Sequence, residues 1–150
     1  MQSFAEFAAG HFYSHVKLVW DYPGRSHATA TFHVDRIKVT VSFEQRESEG
    51  PWHVLFEVDQ GGSTAAVVAH SSFAIFNGVF QAVEEFVDVR QPETVVFATK
   101  RDDLAHIYQT YLRRESATIE ALGYRLEGPH QVDPYSEFIL RRSKPSAWKG

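Results

Sequence analysis

The stretch TVVFATKRDDLAHIYQTYLRR, residues 94–114, changes character partway along. Its first residues are apolar, β-branched or aromatic, which predicts a short strand covered on both faces. From Leu104 onward, Leu104, Ile107, Tyr108, Tyr111 and Leu112 recur at steps of three and four, the spacing of one helix face. A strand that runs straight into a helix needs a cap close at hand. Thr99 and Asp102 have the S/T-x-x-acid spacing of a capping box, so the change of period is read as an abrupt helix start. This helix is predicted to run to about Leu122 and to stop at Gly123.

Upstream lies SSFAIFNGVFQAVEEFVDV (71–89), where Phe73, Phe76, Val79, Phe80, Val83 and Val87 form a second helical stripe. Ser71 or Ser72 can cap it, and Pro92 helps to end it. Gly78 inside this helix costs about 1 kcal/mol relative to Ala, which predicts a close packing contact there. Before residue 60 the period is two instead. HVKLVWDY (15–22), HATATFHV (27–34), RIKVTVSFE (36–44) and WHVLFEVD (52–59) read as strands, with PGRS (23–26) as a turn and TAAVVA (64–69) as a further short strand. Downstream, YRLEG (124–128) and SEFILRRS (136–143) read as a final strand pair around the loop PHQVDPY (129–135). The expected fold is α+β: a mostly antiparallel twisted sheet, opening as a meander and continuing α-β-α-β-β, with two main helices. The 150 residues are read as one domain with residues 143–150 as a frayed tail.

The composition narrows the function classes. With 43% hydrophobic and 14% aromatic residues the chain is not of the disordered class. A formal charge of −4 argues against a broad nucleic-acid footprint. The absence of Cys excludes disulfides, thiolate nucleophiles and Cys-based zinc sites. No apolar run reaches the ~18–20 residues of a membrane-spanning helix, and the first residues lack the pattern of a secretion signal. The expectation is a cytoplasmic protein without a membrane partner.

The motifs LAHIYQTYL, ALGYRLE and FILRR carry a resemblance. Ala105 and Tyr108 on a helix, then Gly123 and Tyr124 opening the next strand, and Phe138–Leu140 in the last one, look like the C-terminal pattern of the GNAT N-acetyltransferase fold. The match covers the last third of the chain. The longer stretch from FNGVFQ to YLRR also resembles small GNAT-like proteins of phages and prophages. The resemblance implies acetyl-coenzyme A as cofactor, held through a Q/R-x-x-G-x-G/A turn at a helix N-terminus. The nearest candidate here is QGGSTA, in which Gln60, Gly61 and Gly62 precede Ser71 and Ser72 at the helix start. Its glycines fall in other places, and a strand-like segment separates it from the helix.

Each candidate residue has a functional reading and a plainer one. By the resemblance, Tyr108 would be the acid that reprotonates the leaving thiolate; by its position on the apolar stripe it packs in the core. Glu57 or Asp59 near the end of a strand would deprotonate the acceptor amine; otherwise they line an exposed strand face. Of the eight His, His11 and His15 are four apart, yet no third ligand stands at a telling spacing, and no metal is expected. Arg113, Arg114, Arg141, Arg142, Lys144 and Lys149 would form one basic patch, open to a phosphate or nucleic-acid contact, if helix end and last strand are neighbours; the plainer reading is a solvated face balanced by Glu84, Glu85 and Asp88.

Two functions follow. The first is a GNAT-like protein that binds no cofactor and works by binding a protein partner, as a phage accessory protein or inhibitor, with exposed aromatics such as Trp20, Trp52 or Trp148 as contact surface. The second is a small acetyl-coenzyme A-dependent acetyltransferase with Tyr108 as acid and Glu57 or Asp59 as base. Homodimerisation through a sheet edge is compatible with either.

Overall fold

The computed structural model describes residues 16–59, 72–99 and 102–143, with backbone alone at 72–73 and 102–104. In chain order the elements are β1 (Val19–Gly24), β2 (His27–Val34), β3 (Ile37–Gln45), β4 (Trp52–Asp59), α1 (Ser72–Arg90), β5 (Thr94–Thr99), α2 (Asp102–Arg114), α3 (Ser116–Ala121), β6 (Tyr124–Val132) and β7 (Tyr135–Arg142). The seven strands form one sheet in the order β1-β2-β3-β4-β5-β7-β6. The pairs β1/β2, β5/β7 and β6/β7 are antiparallel, whereas β4 and β5, which flank α1 in the chain, run parallel. That is the expected consequence of a helical crossover between neighbouring strands. The fold is α+β with a mostly antiparallel sheet, as the periodicities predict. Segment 64–69, read as a strand, lies outside the described residues.

The residues group into two compact units, the first comprising the chain up to Ser42 together with Phe56–Phe86. Its strands alternate as their sequence does: Ala28, Ala30 and Phe32 of β2 and Ile37, Val39 and Val41 of β3 are buried, with polar residues between them. From α1, Ile75, Phe76, Val79, Phe80, Ala82, Val83 and Phe86 are buried, the wide stripe that steps of three and four dictate. Each such apolar side chain contributes about 1.5–3 kcal/mol on leaving water. Gly78 has the reason its position in a helix demands. A Cβ there would lie 2.3 Å from the Phe32 ring, so the ring rests directly on the helix backbone. Phe76 meets Phe56 of β4 edge to face at 5.4 Å. The predicted turn at 23–26 is shorter than read: Pro23 and Gly24 end β1, and only Arg25 and Ser26 turn.

The second unit comprises Phe43–Leu55 and the chain from Val87 onward. Here Trp52, His53 and Val54 of β4 lie beside Val95, Val96 and Phe97 of β5. Val95, Val96 and Phe97 are all buried, so β5 is covered on both faces as its apolar run predicts. Tyr108, Tyr111 and Leu112 of α2 and Ile119 of α3 are buried in the same unit. The single helix expected to about Leu122 is broken at Glu115, so the described residues hold three helices. The break has a physical reason: from residue 113 to 118 no apolar side chain is buried, and the polar run RRESAT gives the helix no face to hold down. Backbone bonds still carry across it, Glu115 N–H to Tyr111 O at 2.9 Å and Ile119 N–H to Glu115 O at 2.8 Å, which makes the junction an elbow. Gly123 ends α3 at φ +92, the left-handed geometry that its reading as a stop required.

The loop expected at 129–135 is instead mostly strand. β6 runs on to Val132 and pairs His130, Gln131 and Val132 with Glu137, Ser136 and Tyr135 across a bulge after Glu127. Gly128 makes the bulge possible, at φ +108 and with a hypothetical Cβ only 2.6 Å from Glu137 O. At the other end of this hairpin the Tyr124 hydroxyl donates to Pro92 O, and the Arg142 guanidinium donates to Gln91 O at 2.9 Å. These bonds tie the segment between α1 and β5 to β6 and β7.

Candidate functional site

Tyr108 is the residue on which the functional reading turns. Cross-strand pairing sets Phe97 of β5 beside Phe138 of β7. Tyr108 on α2 lies over this pair, its ring centroid 6.0 Å from each ring, tilted on Phe97 and edge-on to Phe138. It is 5% exposed. Burial pushes the phenol well above its usual range, so the hydroxyl stays protonated at any working pH. A protonated phenol is the right form for an acid. A ring held between two phenylalanines is also what a core position on a helical stripe produces.

The candidate bases are placed differently. Glu57 and Asp59 fall in the first unit, on one exposed face of β4, and alternate with Phe56 and Val58 on the other. Gln60, Gly61, Gly62 and Ser71 lie outside the described residues, as does Trp148. Ser72 opens α1, and only its backbone is described. The Trp residues expected as an exposed contact surface need correction. Trp52 is buried, with the Arg90 guanidinium 5.6 Å above its ring, because it occupies an inward position of β4. Trp20 is half-buried, and its indole N–H donates to Glu85 Oε1 at 3.3 Å.

Two titratable groups in the second unit escaped the sequence reading. His53 lies beside Val96, and Glu137 lies beside Ala98 two residues further along β5, so all four belong to one sheet face. Burial, and after it Arg46, lowers the His53 pKa against the opposing pull of Glu137 and Glu44, which keeps the imidazole neutral near pH 7. The signal for this group was present as polar residues at alternate strand positions, but pairing register is needed to bring them to one face. Among the described residues no three His, Asp or Glu are arranged to hold a metal ion.

The second group is Glu115 at the elbow. It is 8% exposed, its Oε2 makes no hydrogen bond, and its side chain does not cap α3. Burial pushes its pKa to about 7 against the opposing influence of Arg114 and Thr118. The Arg114 guanidinium lies over the Tyr111 ring at 5.7 Å. Nothing in RRES distinguishes this Glu from a solvated one. On the opposite side of β6, Glu127 is held between Arg125 at 3.2 Å and Arg141 at 2.8 Å, and the hydrogen bond from Arg141 lowers its pKa. Arg141 is thus already engaged, and Arg142 bonds to Glu93 as well as to Gln91. These pairings engage Arg141 and Arg142 of the basic patch read from the sequence, and Lys144 and Lys149 lie outside the described residues.

Compared with known proteins, the chain matches no family model, no curated protein and no solved structure.

Proposed function

We propose that this chain is a GNAT-like protein that acts by binding a protein partner and not by acetyl transfer. The fold reading is supported by the element order and by the mostly antiparallel sheet, in which β4 and β5, the strands either side of the α1 crossover, run parallel. The non-catalytic reading rests on Tyr108. An acid that protonates a departing thiolate must touch the sulfur, and this ring is occupied by Phe97 and Phe138 at 5% exposure. The lack of a Q/R-x-x-G-x-G/A turn in the sequence points the same way. For the partner surface, the tip of the β6–β7 hairpin offers Val132 and Tyr135, paired across the strands and both exposed.

Calorimetric titration with acetyl-coenzyme A tests the first half. No binding is expected up to ~1 mM cofactor, whereas a micromolar Kd would restore the acetyltransferase reading with Tyr108 as acid and Glu57 or Asp59 as base. The second half is tested by affinity capture with wild type and with Val132→Ser/Tyr135→Ala. A partner kept by the first and lost by the second supports recognition through the hairpin tip. A partner retained equally by both removes that surface.

A further inference from the structure

Of the six residues of α3 only Ile119 is buried, so a single apolar side chain anchors this helix. The chain on either side is fixed more firmly. Upstream, Tyr111 and Leu112 are buried. Downstream, Gly123 O accepts from the Ser143 backbone N–H at 2.8 Å and from the Ser143 hydroxyl at 3.0 Å, and Tyr124 is buried at the start of β6. Residues 113–122 are thus a short, weakly held span between two anchored ends, with Glu115 at its bend. Glu115 stands at the N-cap of α3, yet its side chain caps nothing. It is 8% exposed, and its Oε2 makes no hydrogen bond. Burying a carboxylate with an unpaired oxygen costs far more than burying the neutral acid.

We propose that this elbow is a proton-controlled hinge: with Glu115 protonated α3 is closed over Ile119, and loss of the proton releases residues 113–122 to an open form in which the carboxylate reaches water and Ile119 is exposed, while α2 and the strands beneath stay folded. The groups that act on Glu115 are Arg114 of α2 and Thr118 of α3, both favouring the charged form against burial. Arg113 and Glu120 on the same helices are exposed. Of the strands packed against these helices, β5 has no titratable side chain. On β6 and β7, Tyr124 donates to Pro92 O, Glu127 lies between Arg125 and Arg141, and Arg142 is bonded to Gln91 O and Glu93. His130, Tyr135 and Glu137 stand toward the other end of the hairpin. The closed form therefore holds a proton that the open form gives up at the ordinary carboxyl value of 4.5, against about 7 when closed. Closure is fully favoured below the lower value and weakens as pH rises toward the upper one. Opening is local because little has to be undone: the burial of one side chain and a few bonds such as Ile119 N–H to Glu115 O at 2.8 Å and Leu122 N–H to Thr118 O at 3.0 Å.

Hydrogen exchange of the full chain at pH 5, 6, 7 and 8, with rates corrected for the intrinsic pH dependence of exchange, tests the proposal. In wild type the protection of the Ile119, Leu122 and Gly123 amides is expected to fall ~10-fold or more from pH 5 to pH 8, and in Glu115→Gln it is expected to stay constant. At every pH these amides should be less protected than those of Val95–Phe97 in β5, and at low urea their exchange should not respond to urea, the mark of an opening that exposes little surface. Protection equal to that of β5 would mean that α3 opens only when the whole unit unfolds. Protection that is flat with pH in wild type, or that falls equally in Glu115→Gln, would mean that the carboxyl does not control the hinge. Each of these results would overturn the proposal.

Discussion

Replacing Glu115 by Gln should stabilise the protein above neutral pH and leave it unchanged in acid. In the folded chain the carboxyl titrates at about 7, raised by burial from an ordinary value of 4.5. Between these two pH values the folded state holds a proton that the unfolded state has lost. Stability therefore falls as pH rises from about 4.5 to about 7, and the contribution is fully lost above that. At about 1.4 kcal/mol per tenfold change, the full difference is worth at most ~3 kcal/mol. The carboxyl lies near the surface beside an exposed arginine, and solvent screening reduces this to ~1.5–2 kcal/mol. Gln has the same shape and never ionises, so the difference between variant and wild type isolates this one group. Urea unfolding at pH 3.5, 5, 6, 7 and 8 would show curves that coincide at pH 3.5, below the unfolded pKa, and separate progressively to ~1.5–2 kcal/mol at pH 8, the variant above. Curves that stay parallel would mean that the carboxyl is solvated. A wild type that gains on the variant with rising pH would mean that it is ion-paired, and the account of the elbow would be wrong.

Three further substitutions test the packing. Gly78→Ala improves helix propensity by about 1 kcal/mol but drives a Cβ to 2.3 Å from a ring that is 1% exposed, so overpacking should win by ~1–2 kcal/mol in urea unfolding. Gly128→Ala should lower stability by ~1–3 kcal/mol, because φ is +108 and the new Cβ meets Glu137 O at 2.6 Å. Tyr108→Phe retains the ring between Phe97 and Phe138 and should cost no more than ~1.5 kcal/mol. Tyr108→Ala should cost ~3–5 kcal/mol in the same assay, the signature of a core residue.

Much of the fold was legible because its strands and helices obey their own periods. HATATFHV and WHVLFEVD coincide with β2 and β4, and the stripe of α1 is buried where steps of three and four place it. The readings that failed lie where long-range pairing overrides local chemistry. PHQVDPY contains two prolines and reads as a loop. β7 nevertheless pairs with it, and the bulge at Gly128 absorbs the residues that do not fit. The elbow at Glu115 failed for the converse reason. Its backbone bonds are nearly those of a continuous helix, and only the want of a buried apolar residue between Leu112 and Ile119 marks the interruption.

The site was less legible than the fold, and Tyr108 shows why. A catalytic phenol and a core phenol occupy the same place in a helical stripe, since both must point toward the sheet. What separates them is the identity of the rings beneath, and the Phe97–Phe138 pair is brought together by register across forty residues of chain. His53 and Glu137 make the same point in polar form. Each stands at an ordinary position of its own strand, and the parallel pairing of β4 with β5 and the antiparallel pairing of β5 with β7 bring them to one sheet face on either side of β5. The relations open to inference before the structure are therefore those carried within one segment, and those that needed it are carried between segments.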